Sequence, residues 1–261
     1  MWKTTIARYG AMVYLPNDIG AGANFGLYGE CGQLEIEFLK TLINPGDTVL
    51  DVGANTGGHT LAFASFVGPS GKVLSFEPQS VMLQLLCTNI VINNLHNVKT
   101  YGLPVSNDHD NTVIDIPEIN VNDNANFGGL SLFHQAQTYN RLPSIRIDDL
   151  RLNKVDLIKI DVEGFESRVL SGAFHTITRC RPLIYLENNR PEQFEDIKTI
   201  LTNHKYVAYH HLPPSFNPDN FNGIKDNPFH GDYLEPNMIC VPHERTMTEI
   251  LKDKNIGSKI I

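Results

Sequence analysis

Four polar clusters contain the residues whose types and spacing could do chemistry. They lie at positions 51–57, 77–78, 161–166 and 187–189, and each follows an apolar run typical of a buried strand. Ligands bind at the carboxyl ends of the strands in an open parallel sheet. We therefore expect the four clusters to meet at one edge of a sheet, and this convergence is stronger evidence for a site than any single cluster.

The first cluster, DVGANTG, predicts a ligand-binding turn between a strand and a helix. Gly53 permits a tight turn, and Gly57 permits close approach of the backbone to a ligand. Asn55 stands where a dinucleotide-binding fingerprint has its middle glycine, which disfavours a nicotinamide cofactor. A purely structural strand-to-helix turn is the alternative interpretation.

Two carboxylates near this turn indicate what it could bind. Glu77 ends the second strand, where a carboxylate can accept hydrogen bonds from both hydroxyls of a ribose. Asp51 could contact a positively charged ammonium group. The sequence contains no Walker signature for binding phosphates. A nucleoside with a cationic amino-acid tail therefore fits the site better than a pyrophosphate.

Alternating strands and helices would position these clusters. The sequence predicts strands at 48–52, 72–76, 98–105, 155–161 and 182–186. Helices are predicted from His59, Ser80 and Pro191 and, after the fourth strand, along a face formed by Val169, Leu170, Ala173, Phe174 and Ile177. Residues 206–210 and 237–241 could form an antiparallel edge pair. This order predicts an α/β fold with a mostly parallel sheet and helices on both faces.

Several of these segments together resemble one known family, the FkbM methyltransferases. The matching segments are VLDVGANTG at 49–57, FEP at 76–78, IDDL at 147–150 and DLIKIDVEGFE at 156–166, with GGLSL at 128–132 and YGE at 28–30 as further elements. The likeness covers roughly residues 28–189, and KIDVEG is its most discriminating part.

The resemblance implies a class I, Rossmann-like methyltransferase fold with seven strands that uses S-adenosylmethionine. It places the methionine part of this cofactor at the glycine turn, the ribose at Glu77 and the adenine near Ser106 or Asn107. The residues implied to bind the cofactor are Tyr28, Glu30, Asp51, Gly53, Asn55, Thr56, Gly57, Glu77, Pro78, Ser106 and Asp161. The resemblance alone implies O-methylation of a sugar or similar small hydroxylated metabolite.

The same comparison suggests how the chain is organised. Residues 1–45 would form an N-terminal extension with a helix that covers the cofactor, and residues 46–261 would form the methyltransferase domain. An Asn-rich insertion with short strands is expected near 107–145, and a long loop at 210–237.

A hydroxyl acceptor is a poor nucleophile while protonated, so a base or a metal ion is expected. Asp161 is the first candidate for either role, and Lys159 faces the same side of its strand because it lies two residues away. The alternative is that these two residues form a buried pair that orders the sheet edge. Glu163 is a further catalytic candidate, although Glu163 or Glu166 could instead cap the next helix.

Asp161, Glu187 and Asn188 would supply three oxygen ligands at neighbouring strand ends, which suits Mg²⁺ or Mn²⁺. The alternative is that they hold the acceptor hydroxyl directly. Four histidines are base candidates by residue type only: His59, His134, His210 and His211. The loop aromatics Phe216, Phe221, Phe229 and Tyr233 could stack on a sugar or pack among themselves.

Composition narrows the classes of function. The net charge is −8, which argues against a protein that binds nucleic acid through its phosphates. The sequence has no membrane-length apolar run and no signal peptide, so we expect a soluble cytoplasmic protein. The four cysteines are far apart and predict free buried thiols. A nicotinamide-dependent oxidoreductase and a non-catalytic binding module remain as alternatives.

Overall fold

The computed structural model describes residues 2–108, 112–131, 138–228, 231, 233–245 and 252–261. Three residues considered above, Leu132, His134 and Phe229, lie outside the described residues.

The described residues form twelve strands and seven α-helices. The strands are β1 (Lys3–Ala7), β2 (Gly10–Tyr14), β3 (Thr48–Val52), β4 (Lys72–Phe76), β5 (Val98–Tyr101), β6 (Val113–Pro117), β7 (Tyr139–Pro143), β8 (Leu157–Ile160), β9 (Leu183–Glu187), β10 (Tyr206–His211), β11 (Asn237–Pro242) and β12 (Ile256–Lys259). The helices are α1 (Ala21–Tyr28), α2 (Gln33–Lys40), α3 (Gly58–Val67), α4 (Ser80–Ile92), α5 (Glu166–Gly172), α6 (Phe174–Cys180) and α7 (Pro191–Asn203), with a 3₁₀ turn at Ile147–Leu150.

The central sheet has eight strands in the order β5-β4-β3-β8-β9-β11-β10-β12. The neighbouring strands β5, β4, β3, β8 and β9 are parallel to one another. β11 pairs antiparallel with both β9 and β10. The predicted mostly parallel sheet and the antiparallel pairing of β10 with β11 are confirmed. The structure adds an eighth strand, β12, to the seven expected, and β12 rather than β10 forms that edge of the sheet.

The register of the parallel strands brings their carboxyl ends to one level. Val52 pairs with Phe76 on one side and with Ile160 on the other, and Ile160 pairs with Leu186. The residues that follow these positions therefore lie side by side along one edge of the sheet. As expected from the sequence, this is the edge where the four polar clusters meet.

Helices cover both faces of the sheet because alternate strand residues point to opposite sides. Leu50, Val52 and Ile160 pack with helices α5, α6 and α7 in one apolar cluster. Val49 and Leu157 pack with α2 and α3 in another cluster on the opposite face. The continuous apolar runs of these strands follow from burial on both faces.

Two predicted elements differ from the structure. The third strand ends at Tyr101 instead of residue 105, and Val105 makes only an isolated bridge with Ile145. Pro104 lies between Tyr101 and Val105, and it lacks the backbone N–H that a continuing strand would use for pairing. The helical pattern after β8 is divided into α5 and α6 at Ala173, which leaves Phe174 48% exposed rather than on the buried face.

The N-terminal segment and the insertion add smaller units to the central sheet. β1 and β2 form a hairpin that packs on α4, where Asn89 Oδ1 accepts the backbone N–H of Val13 at 2.7 Å. β6 and β7 pair antiparallel in the insertion. The four cysteines are free, and Cys240 is buried while the other three are partly buried. Across the ranges that the structure describes, every helix is too short or too polar to cross a bilayer.

Candidate active site

A cleft opens at the carboxyl ends of β3, β4 and β8. Five of the residues predicted to contact a cofactor line it: Gly53, Asn55, Glu77, Pro78 and Asp161. Further lining residues come from outside the predicted clusters, among them Gln79, Met82, Leu103, Pro104, Phe127 and Leu130. One side of the cleft is therefore polar and the other largely apolar, which is usual for a small-molecule site.

The glycine turn is held against the end of β8. Gly53 has φ +85°, and a Cβ on this residue would lie 1.7 Å from the backbone oxygen of Asp161, so no larger residue fits. Asn55 also has a positive φ of +49°. Gly57 packs on the side chain of Leu86, and Thr56 is buried behind the turn. Gly57 and Thr56 therefore shape the turn without lining the cleft.

Glu77 is buried at the end of β4, and backbone groups fix its orientation. Its Oε2 accepts the N–H of Asn55 and its Oε1 accepts the N–H of Gln79, both at 2.8 Å. Burial raises the pKa of this carboxyl to about 7, although the two N–H donors favour the charged form. Each oxygen keeps one further lone pair with which to accept a hydroxyl from a ligand in the cleft.

Lys159 joins two carboxylates beneath the cleft. Its Nζ lies 3.0 Å from Asp161 Oδ2 and 3.7 Å from Asp51 Oδ1, and it donates to the backbone oxygen of Gly53 at 3.3 Å. Burial alone would lower the pKa of Lys159, but the negative charges of Asp161 and Asp51 outweigh it and raise that pKa. This pairing is the structural alternative considered for Asp161 and Lys159. The side chain of Asp161 is nevertheless 41% exposed and faces the cleft.

Asp51 is absent from the lining of the cleft. It is fully buried, its Oδ2 accepts a hydrogen bond from Thr60 Oγ1 at 2.6 Å, and its Oδ1 lies 3.7 Å from Lys159 Nζ. Its carboxylate therefore balances the charge of Lys159, and its contact with a ligand ammonium group stays a prediction.

Asp161 also belongs to a cluster of three carboxylates. Oxygen atoms of Asp161, Glu163 and Glu187 all lie within 4.8 Å of one another. Burial raises the pKa of Glu187 to about 10, helped by the charges of Asp161 and Glu163. Glu187 Oε2 is buried and has no hydrogen-bond partner among the described residues. The side chain of Glu163 also pairs with Arg190 Nη2 at 2.6 Å.

Glu166 and Asn188 follow the residues of this cluster closely in sequence, and both make hydrogen bonds within the protein. Glu166 Oε1 accepts the N–H of Gly164 at 3.0 Å, so it holds the turn before α5 and does not cap the helix as the alternative expected. Asn188, predicted as a metal ligand, donates its backbone N–H to the carbonyl of Pro236 at 2.6 Å.

Besides Asp51, Thr56 and Gly57, three more predicted cofactor residues are absent from the cleft lining. Glu30 is buried and accepts Arg8 Nε at 2.7 Å and the N–H of Phe221 at 2.9 Å, so it anchors the long loop after β10. The hydroxyl of Tyr28 donates to the carbonyl of Asp226 in the same loop. Ser106 is buried and donates to Asp108 Oδ2 at 2.8 Å. Tyr28 and Glu30 contact segments distant in sequence, which no local pattern signals, whereas Ser106 contacts a residue two positions away.

The C-terminal end of the long loop lies within electrostatic reach of the carboxylate cluster. Burial raises the pKa of Glu235 to about 8, and the charges of Glu35 and Asp161 contribute to this rise. Tyr233 is 53% exposed, and burial of the rest of its side chain, followed by the charges of Glu235 and Glu187, raises its pKa. Phe216 instead packs against Tyr28, with the ring centroids 5.5 Å apart and the rings tilted by 59°. The aromatic residues of the loop are thus divided between packing and exposure.

The described histidine candidates are not in the cleft lining. His59 Nε2 lies 3.2 Å from Glu35 Oε2, and His211 is buried with its Nδ1 2.8 Å from the hydroxyl of Tyr185. Burial lowers the pKa of His211. His210 lies beside Gly257 on β12. These positions favour structural roles for the three histidines.

Comparison with known proteins defines the class of this site. Residues 51–208, more than half of the chain, match the methyltransferase FkbM domain. The chain belongs to the FkbM methyltransferase family, and it is an S-adenosylmethionine-dependent methyltransferase. The oxidoreductase and the non-catalytic module considered from the sequence are therefore set aside. No curated protein matches the sequence.

Solved structures agree on the fold. A methyltransferase FkbM from Methylobacillus flagellatus is 17% identical with a TM-score of 0.51, and the match covers 83% of this chain but only 52% of that one. A SAM-dependent O-methyltransferase from Thermotoga maritima is 13% identical with a TM-score of 0.52, and the match covers 94% and 78% of the two chains. The chain thus spans about half the length of the FkbM structure, and its fold is that of class I methyltransferases.

Proposed function

We propose that this methyltransferase methylates a hydroxyl group of a sugar, a glycan or a similar small metabolite. The observation that carries the proposal is the juxtaposition, in one cleft, of the buried Glu77 and the exposed carboxylate of Asp161. Glu77 suits the ribose of the cofactor, and Asp161 suits the proton or the oxygen of an acceptor hydroxyl.

The cofactor side of the cleft follows from its two kinds of lining. S-adenosylmethionine supplies a methyl carbon that is activated by the adjacent sulfonium. Glu77 accepts the ribose hydroxyls, because its two oxygens are already oriented by backbone N–H groups. Gly53 and Asn55 surround the methionine part. The apolar surfaces of Leu103 and Phe127 suit the faces of a purine ring.

On the acceptor side, Asp161 accepts the hydroxyl proton, and it would be one of the residues that hold a cation if one is bound. Lys159 holds the Asp161 carboxylate at 3.0 Å, which reduces its freedom to rotate. Much of the rate then depends on aligning the acceptor oxygen with the methyl carbon and sulfur. Asp161 is therefore the residue that we assign to both positioning and proton acceptance.

A divalent cation fits beside Asp161. Three carboxyl groups lie within 4.8 Å of one another, and burial together with the negative charges of Asp161 and Glu163 raises the pKa of Glu187, an effect that a bound cation would oppose. An all-oxygen donor set suits Mg²⁺ or Mn²⁺, and the buried Glu187 Oε2 has no other partner in the described chain. Asp161, Glu163 and Glu187 would hold the ion, which would supply Lewis acidity towards the acceptor hydroxyl. Asn188 stays a predicted fourth ligand.

The loop between β10 and β11 supports a carbohydrate acceptor. Tyr233 and Leu234 are both about half exposed at the end of this loop, near the charges of Glu187 and Glu235. An aromatic ring beside carboxylates can contact the C–H face of a sugar while the carboxylates accept its hydroxyls. The expectation that nucleic acid is not the acceptor rests on the net charge of −8.

The test is transfer of label from methyl-labelled S-adenosylmethionine to a library of nucleotide sugars, glycans and small hydroxylated metabolites, with a structured RNA as a further arm. We expect label on a hydroxyl oxygen, lost in the Asp161→Asn variant and retained in the exposed Asp196→Asn control on α7. Loss of activity with EDTA and its return with Mg²⁺ or Mn²⁺ would support the cation. Label on RNA or on nitrogen alone would contradict the proposed acceptor.

A further inference from the structure

One wall of the cofactor cleft has no regular secondary structure. Residues 118–130, here called the insertion wall, consist of turns and one isolated bridge. Phe127, Gly128 and Leu130 of this wall line the cleft. A Cβ on Gly128 would lie 2.3 Å from Asn55 Nδ2, so the wall is pressed against the glycine turn. Its conformation therefore determines the shape of the cofactor side.

Asp18 fixes this wall from the N-terminal segment. Its side chain is buried, and its Oδ1 accepts the N–H of Phe127 at 3.2 Å and that of Gly20 at 3.0 Å. Its Oδ2 accepts the N–H of Gly22 at 3.0 Å, in the first turn of α1. One buried carboxylate thus ties the start of a helix to the residue that lines the cleft.

Two neighbours of Asp18 bind the wall at other points. Asn17 Nδ2 donates to the carbonyls of Val121 at 2.6 Å and Asp123 at 2.5 Å. The backbone N–H of Ile19 donates to the carbonyl of Ala125 at 3.1 Å. Residues 17–19, here called the N-terminal clamp, therefore hold the wall along most of its length.

We propose that Asp18 and Asn17 are positioning residues for the cofactor, acting through the insertion wall. The clamp lies outside residues 51–208, the region that matches the family domain. If the wall were unclamped, the protein would have to order it on binding, and the apparent affinity would fall by the fraction of molecules with the wall in place. This inference rests on the cofactor site proposed above.

The test measures binding of S-adenosylhomocysteine by calorimetry, at a temperature where every variant is folded. We expect Asp18→Ala and Asn17→Ala each to weaken binding about tenfold, because each loses hydrogen bonds to the wall. Asp18→Asn keeps an oxygen for the N–H groups of Phe127 and Gly20, and it should bind within about threefold of wild type.

Asp148→Ala is the matched control. Asp148 also accepts three hydrogen bonds near a helix start, from the N–H groups of His175 and Thr176 and from Thr176 Oγ1, but it contacts α6 and does not line the cleft. This control should lower the melting temperature and leave the affinity unchanged. Weaker binding of S-adenosylhomocysteine by the clamp variants, but not by Asp148→Ala, therefore distinguishes a positioning role from a purely structural one.

The outcomes distinguish the two proposals. If wild type fails to bind S-adenosylhomocysteine, the proposed cofactor site is wrong and this inference falls with it. If wild type binds and both clamp variants bind within twofold of it, only the inference is overturned. Should Asp18→Ala fail to fold, Asn17→Ala decides the matter, since it leaves the Asp18 contacts intact.

Discussion

We predict that Glu77, the proposed ribose-binding residue, makes binding of the cofactor depend on pH near neutrality. A carboxylate that accepts two ribose hydroxyls must be ionised, and burial raises the pKa of Glu77 to about 7 in the free protein. Protonation as the pH falls therefore competes with binding. With this pKa the carboxyl is about nine-tenths ionised at pH 8 and about one-tenth at pH 6. We expect the Kd for S-adenosylhomocysteine to rise about tenfold as the pH falls from 8 to 6.

Glu77→Gln tests the same reasoning directly. The amide removes the charge and places an NH₂ group against the N–H of either Asn55 or Gln79, where two donors would face each other. Loss of hydrogen bonds to a charged group should raise the Kd at pH 8 by about 10- to 100-fold. The variant should also lose the pH dependence, because its amide does not titrate.

Calorimetry at pH 6, 7 and 8 provides the measurement, with Glu195→Gln, the same change on an exposed face of α7, as the control. The control should follow wild type at all three values. A wild-type Kd that changes less than about threefold across the range would refute the assignment of Glu77. So would a Glu77→Gln variant with the wild-type pH dependence.

Three further predictions concern the surroundings of the cleft. Glu187→Gln should match wild type in melting temperature without metal, because burial and the charge of Asp161 raise the pKa of Glu187 and favour its neutral form. Saturating Mn²⁺ should raise the melting temperature of wild type alone, by about 5 °C in a thermal scan. Lys159→Met should lower the free energy of unfolding in urea by about 3–5 kcal/mol, since it leaves the buried charge of Asp51 unpaired; an unchanged urea midpoint would contradict this. Gly53→Ala should abolish measurable S-adenosylhomocysteine binding, because its Cβ meets the carbonyl of Asp161; tight binding by this variant would show that the turn is not rigid.

The central sheet could be predicted because its signals are local. β3 and β4 have the predicted bounds, since each is a continuous apolar run between turn residues, and α4 and α7 begin at the predicted Ser80 and Pro191. The bounds of the first helix, AGANFGLY, were beyond prediction because its four small residues and weak periodicity give no helical pattern. It forms where Asp18 accepts the N–H of Gly22 and orders its first turn.

The sequence predicts those residues of the candidate site whose placement depends only on their position along a strand. Gly53, Glu77 and Asp161 follow strand ends, and the parallel register alone brings them together. The orientation of side chains was not predictable in the same way. Glu30 faces a loop about 190 residues further along the chain, and Phe127 reaches the cleft through a segment without periodicity. Both depend on contacts between segments distant in sequence.

The close approach of Gly53 to Asp161 has a consequence for the precision of the reaction. The glycine turn, which we propose holds the cofactor, lies against the peptide group of Asp161, which we propose holds the acceptor. Under the proposed function, the two halves of the cleft are therefore in contact through backbone atoms rather than through rotatable side chains. Displacing one half displaces the other. The spacing between methyl donor and acceptor is then insensitive to rotamer changes around the cleft, and selectivity among acceptors depends on which hydroxyl reaches that fixed point.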